Sequence, residues 1–219
     1  MEQAVTFDKV VADELLQELS FSVPCGSMAA ALTQRQEESC LQVRLMLGLL
    51  QPLSGSVTLL GERLGSASDK ALNALRREVG VVYPTGGLIS NLKVWENLIL
   101  PLEYFSLYPP KEIEERGMAA LKRVGYAGGL MELPGHLSLY SRKQVGLARA
   151  MLQNPRLVIY DEILTGLSGD ERGSIIECVE AFHRETPGRT SLFLTANEDA
   201  IREIPVETRI AMKGSSVHG

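Results

Sequence analysis

Six short apolar runs, LSFSV, SVTLLG, VGVVY, RLVIYD, TSLFLT and TRIAM, recur along the chain, and between several of them lie stretches with apolar residues at helical spacing. Strands that alternate with helices of this length predict a largely parallel sheet covered on both faces. The first runs stand closer together, parted only by turn residues such as PCGS and PLSGS, which predicts an antiparallel layer at one edge. From about residue 86 to about residue 145 helical signals follow one another without a convincing strand, as a helical insertion on an α/β core would require.

Local signals fix several helix ends. ESCLQVRLMLGLL is apolar around most of a helix's circumference, which predicts burial on more than one side. Ser68 is placed to cap SDKALNALRREVG, and Pro110 and Gly125 stand at the two ends of PKEIEERGMAALKRVG. The acids and bases of KEIEER read as a solvated helix face with intrahelical pairs. SRKQVGLARAMLQNP and DERGSIIECVEAFHRE supply two further helices.

At 219 residues, 45% hydrophobic and 22% charged, the chain has the makings of one domain that folds by burial alone. A formal charge of -5 gives no electrostatic reason to expect a nucleic-acid partner. Cys25, Cys40 and Cys178 lack paired or ligand spacing, as do His136, His183 and His218, so no metal site is expected. MEQAVTFDKV lacks the charged and apolar regions of a secretory leader, and Pro52, Pro101 and Glu103 break the longest apolar stretches short of a membrane span.

FSVPCGSMAAAL, LMLGLLQPLSGSVTLLG, GLISNLKVWENLILPLEY, LSLYSRKQVGLARAMLQNPRLVIYDE and TGL, in this order and spacing, resemble the ATPase subunits of ABC transporters across nearly the whole chain. Within that family YPTGGLISNLKVWENLILPLEY is most similar to the MlaF type, which drives phospholipid traffic between bacterial envelope membranes. The resemblance implies an α/β, RecA-like P-loop NTPase core of the ABC ATPase type, with an antiparallel β layer and an α-helical subdomain. It divides one domain, 1–219, into core and β layer over 1–85, helical subdomain over 86–145 and core again over 146–219.

Most of the family's nucleotide-handling groups do not carry over. A phosphate loop needs glycines that let backbone N–H groups converge on phosphate oxygens, with a lysine and a hydroxyl to complete the cage. Here the glycine positions fall on Thr33, Gln36 and Glu38, the lysine on Ser39 and the magnesium-binding hydroxyl on Cys40. Glu37 and Glu38 add two carboxylates, each opposing a phosphate charge at ~4 Å by roughly 4 kcal/mol at a near-surface dielectric of about 20. Arg35 offsets part of this. A carboxylate suits a helix N-terminus, so Glu38 is a candidate to fill the anion site itself, the alternative being a relaxed exposed turn. The glutamine of the family falls on Pro84. The signature glycines fall on Leu139 and Tyr140 beside a retained Ser138, and the switch histidine falls on Ala196 or Asn197. The aspartate after TGL falls on Ser168, and KVVADELL lacks the aromatic on which adenine stacks. Cys40, flanked by acids, reads as structural filler.

One element is retained. RLVIYDE ends in Asp161 and Glu162, which match the family's magnesium-orienting aspartate and catalytic glutamate. The resulting expectation is a subunit that docks without hydrolysing ATP, in a transport system for which the MlaF resemblance suggests lipid cargo, and that uses no cofactor. One alternative is an atypical ATPase that binds ATP and Mg, alone or as half of a heterodimer; another is a scaffold without a transporter. The partners implied by the resemblance are a transmembrane permease and a second ABC ATPase, the same or different, at the cytoplasmic face of the plasma membrane. Tyr83, Pro84, Leu88, Ile89 and Trp95, in an apolar stretch that also contains Leu92 and Val94, are the candidate docking residues; packing of the helical subdomain is their competing role.

Overall fold

The structure, a computed structural model, describes residues 2–105 and 108–211. The chain runs β1 (Gln3–Ala12), β2 (Leu16–Pro24), β3 (Met28–Leu32), α1 (Gln36–Met46), β4 (Ser54–Leu59), β5 (Glu62–Arg63), α2 (Asp69–Arg77) and β6 (Val79–Val82). It continues with α3 (Val94–Tyr104), α4 (Pro110–Arg123), α5 (Leu139–Leu152), β7 (Leu157–Asp161), α6 (Gly169–Glu185), β8 (Thr190–Thr195), α7 (Glu198–Glu203) and β9 (Thr208–Ala211).

Two sheets form. The parallel one has the order β6-β7-β8-β3-β9, with Val79 opposite Leu157, Leu157 opposite Thr190 and Met28 opposite Ser191. The antiparallel one has the order β2-β1-β4-β5. Successive side chains of a strand leave on opposite faces, so β7 divides its apolar residues between two cores. Leu157 and Ile159 face the core shared with the antiparallel layer, among Val5, Phe7 and Leu192. Val158 and Tyr160 face the helices, among Val145, Ile175 and Phe193.

Two strands carry no clear signal in sequence. Both flanks of β3 are paired, by β8 and β9, and this pairing makes a strand of the alanine-rich MAAAL. In β1 the alternation is broken by a shift of register between Phe7 and Val10, where Lys9 takes the left-handed conformation at φ 47°. The reading of ESCLQVRLMLGLL as helical throughout needs correction. Helix α1 stops at Met46, Gly48 turns the chain at φ 61°, and Leu49 is exposed. Ser68 caps α2 as expected, accepting from the Ala71 N–H, and Arg116 pairs with Glu112 at 2.8 Å on the outer face of α4.

All strands of the parallel sheet point the same way, so the segments that leave β3, β6, β7 and β8 gather at its carboxyl edge. Residues 33–40, 83–89, 161–167 and 195–197 therefore meet there, where ligands of open α/β sheets bind.

Candidate functional site

The site is built around the end of β7. Asp161 is 1% exposed, and its Oδ1 accepts from the Ser39 hydroxyl at 2.6 Å. Burial pushes its carboxyl up to about 6; the Ser39 bond opposes this, neighbouring Glu162 adds to it and Lys143 lowers it.

Glu162 turns the chain out of the strand in the left-handed conformation, φ 48°, a backbone state that a residue other than glycine adopts at some cost. Its N–H donates to the Leu194 carbonyl at 2.9 Å. Its Oε1 accepts from the Ala196 N–H at 2.6 Å, and Oε2 accepts from the hydroxyls of Thr165 at 2.5 Å and Thr195 at 3.0 Å. A carboxylate anchored in this way has one orientation, and it can accept a proton from a water at the sheet edge.

The loop from Thr33 to Ser39 lies beside this pair. It contains no glycine and no lysine, and none of its residues takes a left-handed conformation. Glu38 is buried, and its Oε2 accepts from the Gln34 N–H at 3.0 Å, so the carboxylate turns back into the loop instead of extending from it. Ser39 is wholly buried by its bond to Asp161, and Thr33 is buried with its hydroxyl unpartnered. Gln36 and Glu37 are exposed in the first turn of α1. Cys40 is also exposed, which corrects its reading as packing filler: the helix turns it away from the core. A magnesium triphosphate asks for convergent N–H groups and an ammonium. The loop supplies no ammonium of its own, and one of its N–H groups already serves Glu38.

The remaining sequence candidates are dispersed around the site. Ser138 caps α5, accepting from the Ser141 N–H at 3.1 Å, and Leu139 and Tyr140 form the first turn of that helix, both half-buried. Ser168 caps α6 in the same manner. Asn197 caps α7, accepting from the Asp199 and Ala200 N–H groups. Tyr83 and Pro84 are half-buried at the end of β6, where burial raises the Tyr83 phenol above its ordinary value. Leu88 packs against the core, and Ile89 is 42% exposed. Of the five docking candidates Trp95 alone lines the apolar groove between α3 and α4. That groove, about 450 Å³, has Ile99, Ile113, Met118 and Met131 on its walls and Glu103 and Glu114 among its lining. His183 Nδ1 lies 3.0 Å from the Ser191 hydroxyl and His136 is exposed; His218 lies outside the described residues.

Sequence reasoning missed Lys143. It lies in α5, wholly buried, and donates to the carbonyls of Glu162 at 2.9 Å, Ile163 at 2.8 Å and Thr165 at 2.6 Å. Burial lowers its ammonium to about 8, against the raising influence of Glu162 and Asp161. The one signal in sequence is a lysine at the head of the apolar helical run KQVGLARAML, and nothing there says which loop it reaches.

Residues 40–165 match the family model described as ABC transporter. Among curated proteins, the methionine import ATP-binding protein MetN of Rhizobium meliloti is 29% identical over 224 residues, which cover 98% of this chain and 62% of that protein. MetN 1 of Rhodopseudomonas palustris is 31% identical over 180 residues, 82% of this chain and 48% of that protein. The chain spans about half the length of the curated relatives it matches. Among solved structures, the dimeric ATP-binding cassette MJ0796 bound to ADP and Pi superposes with a TM-score of 0.82 at 22% identity, covering 95% of this chain and 94% of that one. The cbiO1 protein of Clostridium perfringens, part of the transporter complex cbiONQ, gives 0.80 at 21%, covering 97% and 86%. The fold is that of the ABC cassettes, as the sequence led us to expect.

These matches correct three expectations. The relatives are methionine import proteins, not MlaF-type subunits. A docking subunit that hydrolyses nothing and takes no cofactor does not agree with relatives named as ATP-binding import proteins. That expectation weighed the loop 33–40 together with Pro84, Leu139, Tyr140, Ala196 or Asn197 and Ser168, whereas the carboxylates at the end of β7 are buried, oriented and hydrogen-bonded.

Proposed function

This chain belongs to the ABC transporter family, and from that premise we propose that it is the ATP-binding subunit of an import system, which binds Mg-ATP and hydrolyses it to drive transport. The observation that carries the reading is Glu162, its carboxylate fixed by the Ala196 N–H and two threonine hydroxyls at the carboxyl edge of the parallel sheet. In this role Glu162 would accept the proton of an attacking water, and Asp161, tied to Ser39, would help hold the magnesium that accompanies the nucleotide. The loop Thr33–Ser39 contributes neither lysine nor glycine, so a phosphate beside it would have Arg35 as its basic neighbour in the loop and Glu37 and Glu38 as acidic ones.

Transport needs a membrane partner, since none of the described helices is long and apolar enough to cross a bilayer. The groove between α3 and α4 suits such a partner: Trp95, Ile99 and Met131 offer apolar surface, and Glu103 and Glu114 favour a segment that carries a basic residue. The same reading pairs the chain with a second ATPase subunit at the cytoplasmic face of the membrane. The names of the relatives suggest methionine as the class of cargo.

The test is calorimetry with Mg-ATP together with phosphate release by the chain and by Glu162→Gln. The reading expects saturable binding in both proteins and turnover lower by roughly 10²–10⁴-fold in the variant. No binding at millimolar nucleotide, or turnover that survives Glu162→Gln, would overturn it.

A further inference from the structure

Lys143 Nζ spends all three of its N–H groups on one turn, the carbonyls of Glu162, Ile163 and Thr165, at distances of 2.6 to 2.9 Å. An ammonium is a compact donor of three hydrogen bonds, and three carbonyls that converge on one point suit it better than a planar guanidinium. Burying a lone cation is costly unless such partners meet it, so the turn and the lysine hold each other.

This turn carries the carboxylate of the site. Glu162 begins it at φ 48°, Thr165 N–H closes it on the Glu162 carbonyl, and the Thr165 hydroxyl donates to the Glu162 carboxylate. Lys143 therefore grips the backbone on both sides of the side chain that Glu162 presents. A second contact from the same helix supports the grip: Leu139 Cδ2 packs against Gly166. Farther along α5, Arg149 donates to the carbonyls of Gly86 and Gly87, so one helix holds two of the segments that meet at the site.

We propose that Lys143 is the positioning residue for Glu162, fixing the place of its carboxylate and tying that place to the first turns of α5. The inference rests on the hydrolytic reading above. Movement at Ser138–Tyr140, where α5 begins, is then transmitted to Glu162 through a rigid helix and one ammonium.

The test compares Lys143→Met and Lys143→Arg with the parent chain by residue-resolved amide exchange and by steady-state kinetics. In both variants the Thr165 and Ala196 amides, which bond to Glu162, are expected to exchange at least tenfold faster while amides of the β1–β2 pairing are unchanged. Turnover falls and the KM for Mg-ATP is kept. Uniformly faster exchange, or site amides left as they were, overturns the proposal. Should Lys143→Met not fold, the parent's lysine Nζ protons decide it: a slowly exchanging ammonium coupled to backbone carbonyls supports the proposal and a freely exchanging one overturns it. Failure of the parent to bind Mg-ATP would refute the hydrolytic reading separately, since the exchange measurements need no nucleotide.

Discussion

The Ser39 hydroxyl donates to Asp161 Oδ1 at 2.6 Å and joins the first turn of α1 to the end of β7 across 122 positions of sequence. Neither group has another route to solvent, since Ser39 is wholly buried and Asp161 nearly so. The hydrogen bond is strongest with the carboxylate ionised. Ser39→Ala should therefore cost about 1.5–3 kcal/mol at pH 8 and less at pH 5, where Asp161 is largely protonated. Urea unfolding at the two pH values measures the difference, and equal losses would show that the bond does not favour the charged form.

The pH dependence of stability follows from two buried groups. Asp161 is raised from 3.8 to about 6, so between these values the folded chain holds a proton that the unfolded chain has lost. Its contribution is fully present below pH 3.8 and is lost as pH rises through 6, by on the order of 3 kcal/mol. Lys143 is lowered from 10.5 to about 8, so between these values the unfolded chain holds the extra proton and stability rises with pH. Asp161→Asn should flatten the first limb and leave the second, as read from urea midpoints between pH 4 and pH 10.

Strands such as VGVVY and TSLFLT were legible in sequence as short apolar runs, because a parallel sheet buried on both faces takes apolar residues at most positions. MAAAL was not, because its neighbours β8 and β9 make it a strand and they come from more than 150 residues later in the chain. Within the site, Asp161 and Glu162 were legible as acids that end an apolar strand. Lys143 was not, since a buried ammonium leaves no pattern and its partners are main-chain carbonyls, which any sequence supplies. The loop 33–40 was legible in composition, and with Pro84, Leu139, Tyr140 and Ser168 it led to a wrong conclusion about function, because missing groups were counted while the retained pair at β7 was discounted.

Glu38 bears directly on nucleotide affinity. Its carboxylate accepts from the Gln34 N–H at 3.0 Å, inside the loop where phosphate oxygens would lie. Glu38→Gln keeps the shape and an acceptor oxygen while removing the charge. Affinity for Mg-ATP should rise at least tenfold, about 1.4 kcal/mol, since a like-charge contact at ~4 Å costs more than this. Stability should fall by about 1 kcal/mol, since a charge-assisted bond becomes a neutral one. Calorimetry on the parent and the variant decides it: unchanged affinity would place the carboxylate outside the path of the phosphates.

Arg189 shows how the far end of the sheet is held. It stands just before β8, 1% exposed, with its guanidinium 3.5 Å from the centre of the Phe182 ring. It donates to the carbonyls of Pro155 and Phe182, the Asn154 side chain and the Thr186 hydroxyl. A planar cation meets four acceptors and an aromatic face at once, which an ammonium cannot do. Arg189→Met would leave these acceptors without a donor, and we expect a loss of about 3–5 kcal/mol. Arg189→Lys should recover little of it. Parallel strands place the amino end of β8 opposite Thr195 and the site, so any variant that remains folded should keep its nucleotide affinity. Urea unfolding alongside calorimetry separates the two effects: a variant that loses affinity while remaining fully folded would show that the two ends of the sheet are coupled.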